Sequence, residues 1–358
     1  MIKQVDSTGL SAANTKRVTI NEVARDARVS KTSVSRYLGG ERHLLSDGTR
    51  DQIERSIAKL DYQPNQMARG LKRGRTRLVG MIIADILNPY SIAVMHGIEA
   101  ACRQHGYTLM ICNSNNDERA ERGYLEILQS YSVEGVILHA CARSAANLGQ
   151  IVRYQAPIVL VDRKLANFDT DLVGLDNYQS TITATSHLID QGYRDLVFVT
   201  EALQGFSTRL EREAAFHLTV RQHPECMGFT LALDVNDAEQ LDRELRNFLT
   251  NDGAGPKAVL TTNGVVTLQV SQSLRRLGCR LFEDIGLLGF DELEWSTLIG
   301  TGITTIAQPT HDIGIAAMDC LLRRWAGDRS ASRHITFRGQ LLVRGSTTRP
   351  PSEQQQAA

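Results

Sequence analysis

Two groups of residues in this chain have types and spacings suited to chemistry. The first is Lys31-Thr-Ser-Val-Ser-Arg-Tyr-Leu38. On a helix, Val34 and Leu38 turn inward, and Lys31, Thr32, Ser33, Ser35 and Arg36 form an outer face without a carboxylate. Donors and cations free of acid suit the DNA major groove, because phosphates repel acidic side chains. Arg36 is long enough to reach guanine O6 and N7, and Lys31 and Thr32 to reach neighbouring base edges. The second group stands where short β-branched runs end: His139, Asp162-Arg163, Asn263 and Asp291. Open parallel sheets bind ligands beyond the carboxyl ends of their strands, which makes these residues candidates for a small-molecule site.

Enzymatic and metal chemistry find no support. The chain lacks G-x-G-x-x-G after a strand, a Walker lysine loop, H-E-x-x-H and G-x-S-x-G, so no catalytic residue is assigned. The six cysteines (Cys102, Cys112, Cys141, Cys226, Cys279, Cys320) form no C-x-x-C pair. Reduced, buried thiols are expected, with no metal and no cofactor.

The elements that position the first group follow from local signals. Thr19-Ile-Asn-Glu22 is a capping box, which starts a helix near Ile20 with Ile20, Val23, Ala24 and Ala27 on its apolar face. Val29 packs a tight turn, and Ser30 caps a second helix from Lys31 to about Leu38, ended by Gly39-Gly40. Ser46 opens a third, roughly Thr49 to Leu60, whose Ile53, Ile57 and Leu60 close a small core. Two short helices joined by a tight turn make a helix-turn-helix, and the second enters the major groove by its N-terminus. Charge agrees. Lys16 to Arg77 holds 15 basic and 7 acidic residues, leaving 25 basic and 33 acidic elsewhere, although the whole chain is neutral. A basic head on an acidic body is the asymmetry of a polyanion-binding domain.

Asn65 to Arg73 has helical spacing but a thin apolar face of Met67, Ala68 and Leu71, followed by Lys72, Arg73, Arg75 and Arg77. A helix this short is marginal alone and is expected to fold only against DNA and a partner copy. From Leu78 onward, β-branched runs alternate with helical stretches: Leu78–Ala84, Tyr107–Cys112, Gly135–His139, Ile158–Asp162, Leu196–Thr200, Ala258–Thr262 and Ile285–Phe290. This predicts an α/β core of parallel sheets with helices on both faces, in two lobes because seven strands exceed one compact sheet. No apolar run reaches the length of a membrane span, and Met1 to Arg17 is polar, so a disordered tail and a cytoplasmic protein are expected. Residues 349–358 are expected to be a second disordered tail. No leucine heptads follow Pro350, which favours a homodimer.

Val18-Thr-Ile-Asn-Glu-Val-Ala-Arg-Asp-Ala-Arg-Val-Ser-Lys-Thr-Ser-Val-Ser-Arg-Tyr-Leu-Gly-Gly40 resembles the head of the LacI/GalR family of bacterial regulators. Leu60-Asp-Tyr-Gln-Pro-Asn-Gln-Met-Ala-Arg-Gly-Leu71 is similar to that family's next signature, and the likeness continues to about Thr347. Arg28 departs from it, standing where the family usually has glycine at the turn. The resemblance implies a helix-turn-helix domain over 18–64 and a hinge over 65–77. It further implies a core over 78–348 with the periplasmic-binding-protein fold. There the chain crosses three times between lobes, near Leu175, Ala307 and Phe337, giving a first lobe of about 78–175 and 308–336 and a second of about 176–307 and 337–348. The DNA-facing set it implies is Thr19, Ser30, Lys31, Thr32, Ser33 and Arg36 in the head, with Asn65, Ala68, Arg69, Leu71 and Lys72 in the hinge. Leu71 is the wedge that opens a base step from the minor groove.

For the effector, the family's loop maps onto Asp85–Ser91, giving Asn88, Tyr90 and Ser91, and Gln308 joins the strand-end residues His139, Asp162, Arg163, Asn263 and Asp291. Arg209 aligns with the family arginine that binds ligand oxygens, and the spacing also allows Arg212. Where the family usually reads Asn-Asp, this chain has Asn263-Gly264. One missing carboxylate tilts the pocket positive, which fits a sugar acid or keto acid. Arg69 to Glu99, Asn263-Gly-Val-Val and Asp291-Glu-Leu-Glu-Trp295 through Gln308-Pro309 resemble the 2-ketogluconate utilisation repressors within this family. The expectation is therefore a repressor of sugar-acid catabolism, released from palindromic operator DNA by 2-ketogluconate. The alternatives are a response to a neutral sugar, or action as an activator or co-repressor-dependent regulator.

Overall fold

A computed structural model describes residues 18–63, 75–141, 156–203, 205–253, 255–280 and 283–348. The tails, and the hinge positions Asn65, Ala68, Arg69, Leu71 and Lys72, lie outside the described residues. The chain divides into two compact units between Thr76 and Arg77.

The head holds α1 (Ile20–Asp26), α2 (Lys31–Leu38) and α3 (Asp47–Lys59). Each start is set by a hydroxyl residue. The Glu22 carboxylate accepts from both the backbone N–H and the hydroxyl of Thr19, at 2.7 and 2.9 Å. Ser30 Oγ accepts from Ser33 N at 3.0 Å, and Ser46 Oγ from Thr49 N at 3.4 Å. Val23, Ala24, Ala27, Val34, Tyr37 and Ile53 form the buried core. Tyr37 is fully part of it, and the sequence reading had missed it. The Asp26 carboxylate ties α1 to α3, accepting from Ser56 Oγ at 2.8 Å and Lys59 Nζ at 2.6 Å.

Arg28 holds the turn with φ +53°, in the left-handed region that glycine enters freely and other residues enter at a cost. Arg28→Gly should therefore raise the opening free energy of the head by about 0.5–1 kcal/mol, read by hydrogen exchange of head amides in the full chain. A lower opening energy would contradict this account of the turn.

The core is built from β1 (Leu78–Ile83), α4 (Pro89–Gln104), β2 (Thr108–Asn113), α5 (Glu118–Ser130), β3 (Gly135–Leu138), β4 (Ile158–Val161) and β5 (Asp171–Leu175), followed by α6 (Asn177–Asp190), β6 (Asp195–Thr200), α7 (Ser207–Arg221), β7 (Met227–Ala232), α8 (Ala238–Thr250), β8 (Lys257–Thr261), α9 (Gly264–Arg276) and β9 (Gly286–Phe290). The chain closes with β10 (Thr304–Ala307), α10 (Thr310–Trp325), β11 (His334–Phe337) and β12 (Gln340–Leu342). All seven runs read as strands are strands. Two six-stranded sheets result, in the orders β11-β5-β4-β3-β1-β2 and β12-β10-β9-β8-β6-β7. Strand order reverses at β1/β3 in one sheet and at β6/β8 in the other, the switch points where open α/β sheets bind ligands.

The chain passes between sheets after β5, after β10 and after β11. Every pairing is parallel except β10 with β12. Its direction follows from its short link: β12 begins where β11 ends, at the cleft, so it must run outward, against strands that run toward the cleft. Each sheet is covered on both faces by apolar clusters, as doubly wound sheets require. Helices α4 and α10 touch backbone to backbone. A Cβ on Gly97 would lie 2.3 Å from His311 O, and one on Gly314 would lie 2.4 Å from Val94 O. No helix is long and apolar enough to cross a membrane among the described residues.

Candidate functional site

Helix caps stand at the cleft ends of the strands. Asn88 Oδ1 accepts from Tyr90 N at 3.0 Å, and Asn263 Oδ1 accepts from Val266 N at 2.9 Å. These two predicted ligand residues are thus helix-starting side chains first. After β4 and β9, at equivalent places in the two sheets, Asp162 and Asp291 both adopt positive φ, +67° and +73°. Strain of this kind persists only where the surroundings enforce it. Both carboxylates interact electrostatically with Arg212.

Arg212 is buried among these groups. It lies on α7 with only 4% exposure, stacked 4.0 Å over the Phe290 ring. Its Nε donates to Asn177 Oδ1 at 2.9 Å, and one amino group donates to the Thr262 carbonyl. Burial pulls its pKa down, against the attraction of Asp162 and Asp291. Burial likewise pushes the Asp291 carboxyl up, opposed by Arg212 and by hydrogen bonds from Gly264 N at 2.9 Å and Gln308 Nε2 at 2.6 Å. Asp162 goes the other way. Burial raises its pKa, but His139, Arg163 and Arg212 outweigh that and hold the carboxyl at about 2.

His139 is buried, with Nε2 3.2 Å from Asp162 and Nδ1 3.4 Å from Ser91 Oγ. Burial and the nearby Arg163 lower its pKa, so the ring favours its neutral form. The Tyr90 ring meets it edge-on at 6.0 Å. Arg163 donates to the Ala140 carbonyl at 3.1 Å and stacks 4.6 Å from the Phe206 ring, while its Nε stands 3.7 Å from Asp162. Four buried polar atoms here lack a well-formed hydrogen bond: Tyr90 Oη, His139 Nε2, Arg163 Nε and Gln308 Oε1.

Arg209 is elsewhere engaged. It pairs with Glu201 at 2.8 Å, donates to the Ala202 carbonyl at 2.8 Å and covers the other approach to Phe206 at 4.5 Å. Glu201 also accepts from Asn263 Nδ2 at 2.8 Å. The Arg209 charge is thus matched by a carboxylate in this structure. Glu201, at the end of β6, meets both Arg209 and Asn263, while Arg163 and Arg212 are the cations that act on Asp162, and Arg212 on Asp291. Sequence reasoning missed Glu201 and Asn177. The one legible signal was the position of Glu201 directly after the β-branched run Leu196–Thr200.

In the head, Lys31, Thr32 and Arg36 are exposed along α2, and Ser33 is half-buried with its hydroxyl 2.9 Å from Ser30 Oγ. Thr19 and Ser30 serve as caps and are exposed. Among the described residues no group of three His, Cys, Asp or Glu side chains is placed to hold a metal.

Residues 19–65 match the family described as bacterial regulatory proteins, lacI family, and residues 76–342 match periplasmic binding proteins and sugar binding domain of LacI family. The HTH-type transcriptional regulator PtxS of Pseudomonas aeruginosa is 54% identical over 92% of this chain and 96% of its own length. The HTH-type transcriptional regulator KdgR of Bacillus subtilis is 39% identical over 93% and 98%. The Escherichia coli ribose operon repressor is 29% identical over 92% and 99%. Among solved structures, the lac repressor dimer bound to operator and the anti-inducer ONPF superimposes with a TM-score of 0.80 at 21% identity, covering 93% of this chain and 99% of that one.

Proposed function

Because the chain belongs to the LacI family of bacterial regulators, we propose that it binds a palindromic operator as a cytoplasmic homodimer and is released from it by an anionic sugar acid, 2-ketogluconate, held around Arg212. It is a DNA-binding regulator of sugar-acid catabolism and not an enzyme. The observation that supports the effector reading is a group of buried polar atoms with poor or missing protein hydrogen bonds: Tyr90 Oη and Gln308 Oε1, together with His139 Nε2 and Arg163 Nε, which meet only the Asp162 carboxylate, at 3.2 and 3.7 Å. A buried donor or acceptor left unmade costs about 1–3 kcal/mol, and a polyhydroxylated acid supplies the missing partners. An anion also answers the cations: Arg163 and Arg212 face one strongly acidic carboxyl, Asp162, and a second, Asp291, whose ionised form burial disfavours.

Release follows from differential affinity, since a ligand shifts a two-state equilibrium only by binding one state better. Saturating 2-ketogluconate should weaken operator binding by roughly 5- to 150-fold in fluorescence anisotropy. If no sugar acid that binds the core moves operator affinity, the switch is wrong. Base reading is assigned to Arg36 and Lys31 on the exposed face of α2. Arg36→Ala should cost about 1–3 kcal/mol of operator affinity and relax preference at one position. An equal loss on random DNA would make Arg36 a phosphate contact.

A further inference from the structure

On the rim of the cleft, a separate set of side chains bridges the two sheets. Lys164, just after β4 of the first sheet, points its Nζ at Glu211 of α7, which packs on the second, at 2.5 Å. The backbone N–H of Lys164 donates to Ser207 Oγ at 2.9 Å. Glu211 has a second partner: Oε2 accepts from Asn177 Nδ2 at 3.1 Å. Asn177 sits at the start of α6, on the chain's first crossing between lobes, and its Oδ1 holds Arg212 Nε. An unbroken line of hydrogen bonds therefore runs from Lys164 through Glu211 and Asn177 to Arg212. Its first link exists only while the lobes are together. Lys164 and Glu211 are 54% and 31% exposed, on the outside of this line, whereas Asn177 and Arg212 are buried.

We propose that Lys164, Glu211 and Asn177 form a latch across the lobe boundary that sets how readily the cleft closes, and hence effector affinity, without touching the effector. This rests on the reading that the effector binds around Arg212. Closing the lobes brings the Lys164 ammonium to Glu211, and Glu211 in turn fixes the Asn177 amide so that its oxygen faces Arg212. The three are positioning residues. A protein whose binding-competent state is partly populated binds with an apparent affinity reduced by that fraction, so removing a contact made only in the closed state weakens every ligand of the cleft alike.

The test is a double-mutant cycle in the full-length protein, Lys164→Met and Glu211→Gln, read by calorimetry. The probes are 2-ketogluconate and D-fructose, its neutral counterpart with a hydroxymethyl group in place of the carboxylate. Glu211→Gln keeps an acceptor oxygen for Asn177 and removes only the charge. Each single change is expected to weaken 2-ketogluconate roughly 3- to 10-fold, and the double change no more than the worse single one, because the pair acts as a unit. Fructose, where it binds, should weaken by the same factor. Additive losses, or no loss in either single variant, would overturn the latch alone. Loss confined to the acid would make Lys164 a direct ligand contact and overturn it too. Wild-type protein that binds no sugar or sugar acid would instead overturn the reading of the cleft, and the latch with it.

Discussion

Arg212→Met should abolish measurable 2-ketogluconate binding and lower the melting temperature of the core by roughly 10 °C, from a loss of about 3–5 kcal/mol. The size of the effect comes from what the substitution leaves behind. Asp162 and Asp291 both interact with the buried Arg212 guanidinium, and Asp162 owes part of its low pKa to it. Without that cation two carboxylates face one another, Asn177 Oδ1 and the Thr262 carbonyl lose their donor, and the apolar Met restores only the contact with Phe290. Arg209→Met, three residues earlier on the same helix, is the matched control. Its partner Glu201 is 28% exposed, so solvent covers part of the loss, and effector affinity should stay within about threefold of wild type. Calorimetry and scanning calorimetry on both variants decide the matter. An Arg209 variant blind to effector beside an unaffected Arg212 variant would reverse the assignment.

Ile53→Ala should abolish operator binding while leaving effector binding intact. Ile53 is wholly buried and is the one α3 residue in the fully buried apolar core of the head, beside Val23, Ala24, Ala27, Val34 and Tyr37. Truncating a buried isoleucine to alanine costs about 2–5 kcal/mol. A unit this small has only a few kcal/mol of stability, so most head domains should be unfolded at 37 °C. The core is a separate compact unit and keeps its own packing. Both tryptophans, Trp295 and Trp325, lie in the core, so their fluorescence should not change while helical circular dichroism falls. Operator affinity within tenfold of wild type would mean that the head tolerates the cavity.

Much of this protein was legible without coordinates, and the legible part has a common cause. Thr19, Ser30 and Ser46 start their helices through hydrogen bonds that span three residues. Six of the seven β-branched runs became strands because a doubly covered parallel strand must be apolar on both faces, which leaves a continuous signature; the seventh, β2, is a half-exposed edge strand. Strands β5, β7, β10, β11 and β12 were not read. Met227 and Phe229 of β7 are exposed and alternate with half-buried Gly228 and Thr230 at a sheet edge, and β11 and β12 are half-exposed, without the continuous apolar run that marks the similarly short β3 and β4.

The site divides in the same way. Strand-end position pointed to His139, Asp162, Arg163 and Asp291, and the family resemblance added Tyr90 and Gln308; in the structure His139 and Arg163 meet Asp162, Tyr90 meets His139, and Gln308 meets Asp291. Spacing did not separate Arg209 from Arg212. The two lie on neighbouring faces of α7, and what distinguishes them is remote in sequence: Glu201 captures Arg209 from the end of β6, while Asn177 and Thr262 hold Arg212 from the lobe crossing and the end of β8. The sequence by itself determined the helix-turn-helix, the parallel core and the class of protein, because these follow from interactions between residues close in the chain and from one signature shared across a family. Only the tertiary structure decided which arginine is buried against Asn177 and Thr262, which one is paired with a carboxylate, and what links the lobes. Those are contacts among groups between 8 and 62 residues apart, and no local pattern encodes them.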